Sequence, residues 1–141
     1  MKLFLILMAL ISGPTYAWQS PDEALAKFLA FELAGGRLQS WQFSRYLAVG
    51  KAYEEPGWDS VVLVKSYSAS SMKCMADICS ALVTFQLVST GAAVGNAGQI
   101  EPHPQGGAEA FTFFSIQRDG QWLLGPFKRP PHILASARAG H

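Results

Sequence analysis

Five side chains carry the chemistry this sequence offers: Glu32, Tyr46, Tyr53, Asp59 and His132. A carboxylate (Glu32 or Asp59) can serve as general base toward a small molecule, and a tyrosine (Tyr46 or Tyr53) can donate to a substrate oxygen. His132 follows Pro130-Pro131, and His103 lies between two prolines. Either imidazole can shuttle protons near neutral pH. Glu32 is the most pointed candidate. Helical spacing places it on the same face as Leu25, Phe28 and Leu29, which is the face that must be buried. A buried carboxylate is either paired or kept protonated. Arg45 occupies a comparable place among Leu38, Trp41 and Val49. A structural Glu32–Arg45 ion pair is therefore weighed above a pocket base. Asp59 reads first as a turn cap, and the two tyrosines as amphipathic residues at a core edge. No serine has a nucleophile setting, and no glycine motif cradles a phosphate.

Both cysteines lie in "KCMADIC", as Cys74 and Cys79. Their meaning depends on compartment. Residues 1–17 read as a secretory signal. Lys2 is followed by the apolar run Leu3 to Ile11, a Ser-Gly-Pro break, and Thr15-Tyr16-Ala17 as the cleavage pattern. The run is far short of the roughly 20 residues that span a bilayer. The chain is thus expected to be exported, to periplasm or medium, where thiols pair. Cys74 and Cys79 flank four residues between two strand-like segments, so a hairpin places them opposite each other as a disulfide. Zinc wants four local ligands and a redox pair a two-residue spacing, so neither fits.

The elements that position these residues follow from pattern. "SPDE" at Ser20–Glu23 is a capping box with proline at the first helical position. The helix it starts runs to about Ala34, and Gly35-Gly36 ends it. A second helix is expected over about Leu38 to Val49. "EEPGWD" turns the chain. Strands follow from Ser60, Cys79, Glu109 and Gln121, with Asp119-Gly120 as a two-residue hairpin turn. In the strand from Cys79, alternate residues Cys79, Ala81, Val83, Phe85 and Leu87 face one side. Residues 90–108 form a long Gly/Pro-rich segment, and 133–141 a loose tail.

Removing seventeen of the 141 residues leaves 124, enough for one domain over 18–132. The full chain has eleven basic and ten acidic residues and a net charge of +1. No basic stripe marks a nucleic-acid partner, and no second apolar run marks a membrane span. Neither a cofactor nor a metal is expected.

Two helices followed by sequential antiparallel strands predict an α+β fold, with the helices packed on a curved sheet of about four strands. The opening "SPDEALAKFLAFELAGG", the turn "EEPGWDSVVLV" and the closing "RDGQWLLGPFKRPPHI" together resemble the nuclear transport factor 2-like (SnoaL-like, cystatin-like) superfamily. That resemblance implies a cone with a pocket at its open end, in a superfamily holding both enzymes and binding or assembly modules. The carboxylate–tyrosine arrangement of its steroid isomerases does not map onto these positions. The expectation is therefore an exported, non-catalytic binding or interaction module, with a small apolar ligand or a homodimer through the sheet face. A small-molecule isomerase, cyclase or dehydratase using a pocket carboxylate is the alternative.

Overall fold

The structure is a computed structural model that describes residues 18–39, 42–50, 53–54, 61–88, 93–94, 100–101 and 106–138. The first helix, α1 (Pro21–Leu33), starts where its sequence says it must. The Glu23 N–H donates to Ser20 Oγ at 3.1 Å, and Glu23 Oε2 accepts from the Gln19 N–H at 2.9 Å. Two donors of the helix start are thereby satisfied. Ala24, Leu25, Phe28, Leu29, Glu32 and Leu33 are buried, as the helical spacing requires.

The next stretch departs from expectation. In place of a second α-helix over Leu38 to Val49, the described residues form two short 3-10 turns, Gly36–Gln39 and Phe43–Tyr46. The burial assignment inverts with it. Leu38 is 57% exposed, whereas Phe43 and Leu47 are each 1% exposed. The cause is a chain reversal after α1. Gly35 adopts φ +82°, and a Cβ on Gly36 would lie 2.3 Å from the Phe31 ring. The chain folds back on α1 instead of launching a new helix, and Leu47 then bridges to Leu124 at the sheet.

Among the described residues eight strands follow: β1 (Val62–Ala69), β2 (Lys73–Met75), β3 (Ile78–Leu87), β4 (Ala93–Val94), β5 (Ile100–Glu101), β6 (Gly107–Arg118), β7 (Gln121–Leu124) and β8 (His132–Leu134). The main sheet is curled and runs β7-β6-β3-β1-β8, with β2 also paired to β3. β4 and β5 form a separate two-stranded ladder. The α+β class holds, but the main sheet has six strands, not about four, and is mixed. β8 runs parallel to β1 through Val62↔His132, Leu63↔Ile133 and Val64↔Leu134. Residues 133–138, expected as a loose tail, are instead strand β8 continuing into the helical turn α2 (Ala135–Arg138).

The β3–β6 ladder is the spine, paired from Ile78↔Ile116 to Leu87↔Gly107. Its alternation is as the sequence requires: Cys79, Ala81, Val83, Phe85 and Leu87 are all buried. Asp119 (φ 51°) and Gly120 (φ 75°) make the β6–β7 turn. Residue 65 is an extra residue in β1, because the register moves from Val64↔Leu87 to Ser66↔Gln86. Past β1, Ser70 stitches the edge twice. Its N–H donates to the Leu82 carbonyl at 2.8 Å, and its Oγ accepts from the Leu82 N–H at 2.9 Å.

Cys74 and Cys79 are disulfide-bonded, with Cα atoms 3.9 Å apart, the close spacing of a non-hydrogen-bonded cross-strand pair. The loop is tighter than four residues. Met75↔Ile78 continues the ladder and only Ala76 and Asp77 turn, with Ala76 at φ 52°. A bond closing so short a loop contributes about 2 kcal/mol in the chain-entropy account. The double variant Cys74→Ser/Cys79→Ala should therefore fold, with denaturant unfolding showing a loss of about 1–3 kcal/mol. Global unfolding of that variant would contradict this account.

Candidate functional site

The buried ionisable residues Glu32, Arg37 and His132 gather at one end of the sheet, where β8 meets α1 and the start of β6, whereas buried Ser115 lies apart and donates to the Pro21 carbonyl at 3.3 Å. Glu32, on the last turn of α1, is 3% exposed. Its Oε1 accepts from Arg37 Nη1 at 3.1 Å and from the His132 backbone N–H at 2.9 Å. Arg37 is equally buried. Its Nη2 donates to the Arg129 carbonyl at 2.9 Å, and its guanidinium lies 4.5 Å from the centre of the Phe43 ring and 5.5 Å from that of Phe127. Glu32 and Arg37 thus tie α1, the first 3-10 turn, the segment before β8 and β8 itself to one point.

His132 sits in the same cluster. Its ring stacks on Phe85 (centroids 4.5 Å) and meets Phe111 edge-on (5.3 Å). Nε2 lies 3.3 Å from Glu109 Oε2, and Nδ1 lies 3.9 Å from Glu32 Oε1. Burial pushes the imidazole below its ordinary value of 6.5, assisted by the positive charge of Arg37. The Glu109 hydrogen bond and charge, and the Pro130 carbonyl, pull the other way without prevailing. Glu109 keeps about a third of its side chain exposed, so the cluster reaches solvent there.

Of the five candidates, Glu32 and His132 are brought together. Tyr46 stacks between Trp18 (5.0 Å) and Phe31 (4.7 Å). The Tyr53 hydroxyl donates to the Phe127 carbonyl at 3.2 Å, and its ring meets Phe43 edge-on. Both are core-edge tyrosines. Arg45 lies half-buried on the second 3-10 turn. Asp59 and His103 fall outside the described residues. Sequence reasoning missed Arg37 and Glu109. The parity of β6 was the available signal for Glu109, because Glu109, Phe111, Phe113 and Ser115 alternate toward the interior.

A second feature lies on the opposite face of the sheet. Met75 (83% exposed), Ile78 (50%), Leu82 (48%) and Phe114 (50%) all point outward. They adjoin, since Met75 pairs with Ile78, Ile78 with Ile116, and Ile116 with Leu123. Phe114 pairs with Ser80, the residue between Ile78 and Leu82 on that face. Uncharged Thr84 and Thr112 continue the stripe.

Among the described residues no group of three or more His, Cys, Asp or Glu could hold a metal ion. No helix among them is long and apolar enough to cross a membrane. Comparison of the chain with family models, curated proteins and solved structures returned no match.

Proposed function

We propose that this chain is an exported, non-catalytic interaction module of the nuclear transport factor 2-like kind, which pairs with a second copy through the outer face of its sheet. The observation that carries the reading is the exposed apolar stripe of Met75, Ile78, Leu82 and Phe114. Contiguous apolar surface of this kind commonly marks an association site. A second copy suits it because the four apolar residues carry no charge, Lys73 is the cation beside them in register with Ser80, and the chain is nearly neutral, so like-charge repulsion is small. Export is supported by the disulfide, a bond that persists in oxidising compartments.

The test is the double variant Leu82→Glu/Phe114→Glu. It places carboxylates at exposed positions, where the fold tolerates them. Sedimentation should show a dimer for the parent chain and a monomer for the variant, with association weakened at least about tenfold by two buried charges. A parent chain that stays monomeric in the high micromolar range overturns the reading.

The contact between Glu109 and His132 favours a second reading, a proton-transfer enzyme acting on a small molecule. Glu32 is not the base in that reading, since its carboxylate is 3% exposed and ion-paired with buried Arg37. It requires His132 to be reachable from solvent. A soluble paramagnetic probe that broadens the His132 ring signals as strongly as those of exposed Tyr67 would favour the enzyme. A protected ring would favour the module.

A further inference from the structure

We propose that β8 and α2 form a proton-operated latch, in which protonation of the buried His132 ring releases the C-terminal segment from the edge of β1. The geometry explains why a proton is unwelcome in the closed state. The ring is stacked on the face of Phe85 and met edge-on by Phe111, and its side chain is only 4% exposed. An imidazolium there needs close acceptors in exchange for lost water. The Glu109 contact, at 3.3 Å, is long against the roughly 2.7–2.9 Å of a strong charge-assisted bond. Glu32 Oε1 is 3.9 Å from Nδ1, beyond hydrogen-bonding reach, and is already engaged by Arg37.

The charged groups around the ring come from several elements. α1 presents Glu32, the first 3-10 turn Arg37, and β6 Glu109. The segment leading into β8 presents Arg129, whose guanidinium lies 3.4 Å from the centre of the Phe111 ring that touches His132. β3 presents the aromatic Phe85, and β1 pairs Val62 beside it. The positive charge of Arg37 opposes the proton, and the pull of Glu109 and of the Pro130 carbonyl does not offset the loss of water around the ring. Burial adds to the opposition, and the ring is held below its ordinary pKa.

The sign follows from linkage. A histidine that binds its proton more weakly in the closed state contributes stability above about pH 6.5, and that contribution is lost as pH falls toward its closed-state value. The element that yields is the one least secured. β8 is an edge strand with three paired residues, and α2 is a single helical turn, whereas β3 and β6 are paired along ten. Local opening draws on such weakly held segments. Release uncovers the β1 edge, a row of backbone groups able to pair with another strand.

Hydrogen exchange on the full chain, corrected for the intrinsic pH dependence of exchange, tests this. Between about pH 7.5 and about pH 5, protection of the Ile133 and Leu134 amides should fall by up to about 30-fold, the limit set by an exposed imidazole with a pKa near 6.5. The β3–β6 amides should stay protected. Glu109→Gln should steepen the loss, because the group drawing the proton to His132 is gone. His132→Phe should abolish it. Unchanged protection of β8, or loss of protection in β3 and β6 in parallel with β8, overturns the latch. An NMR titration of the native His132 ring gives a readout that needs no variant, since a midpoint at or above 6.5 also overturns it.

Discussion

Replacing Arg37 by alanine will lower the unfolding free energy by about 3–5 kcal/mol, the cost of breaking a buried ion pair from one side. The Arg37 side chain is 0% exposed and lies 3.1 Å from a Glu32 carboxylate that is itself 3% exposed. Without the guanidinium, a carboxylate stays among apolar neighbours with its principal countercharge removed. The variant also loses the bond to the Arg129 carbonyl and the packing of the guanidinium against Phe43 and Phe127. Part of the loss is recoverable. Adding Glu32→Gln to the same chain removes the stranded charge, yet leaves an oxygen to accept from the His132 N–H. Urea unfolding followed by tryptophan emission checks both variants. A loss below about 1 kcal/mol in Arg37→Ala would show that the pair is no keystone.

Phe28→Ala is expected to cost as much, about 3–5 kcal/mol, by a different mechanism. Phe28 is 0% exposed and lies one helical turn before Glu32. Its ring lies 5.4 Å from that of Phe127, 5.8 Å from Phe113, 5.9 Å from Phe43 and 6.0 Å from Tyr46. It is therefore where α1, the second 3-10 turn, β6 and the segment after β7 meet. Truncation leaves a cavity lined by four rings drawn from three separated parts of the chain, which cannot collapse together without moving α1 off the sheet. The same urea experiment, compared with Phe28→Leu, separates cavity cost from overall fragility. The leucine variant retains most of the volume and should lose distinctly less. Equal losses in the two variants would point to aromatic geometry instead of volume.

How much of this was readable in advance depends on how far apart in the chain the cooperating residues lie. The start of α1 was legible because a capping box acts over four residues. The buried face of β3 was legible because strand alternation is equally local. Glu32 was recognised as buried for the same reason, from its place one turn beyond Phe28. Its Arg37 partner was not, because Gly35-Gly36 has the local pattern of a helix end with a new helix beyond it. In the fold the positive φ of Gly35 turns the chain back, and Gly36 lets it pass against Phe31, so that Arg37 lands beside Glu32. His132 was visible only as a histidine after two prolines. Its burial comes from parallel pairing with Val62, seventy positions earlier in the chain, and local patterning holds no signal for that. The mixed character of the sheet escaped for the same reason.

We propose that a second copy docks on the outer sheet face and not at the polar cluster around Glu32 and His132. NMR of the protein on serial dilution, from the submillimolar to the low micromolar range, tests it most directly. Concentration-dependent shifts are expected at Met75, Ile78, Leu82, Phe114 and Ile116, with Glu32, Glu109 and His132 unmoved. Shifts confined to Glu109 and His132, or none anywhere across the range, would contradict it.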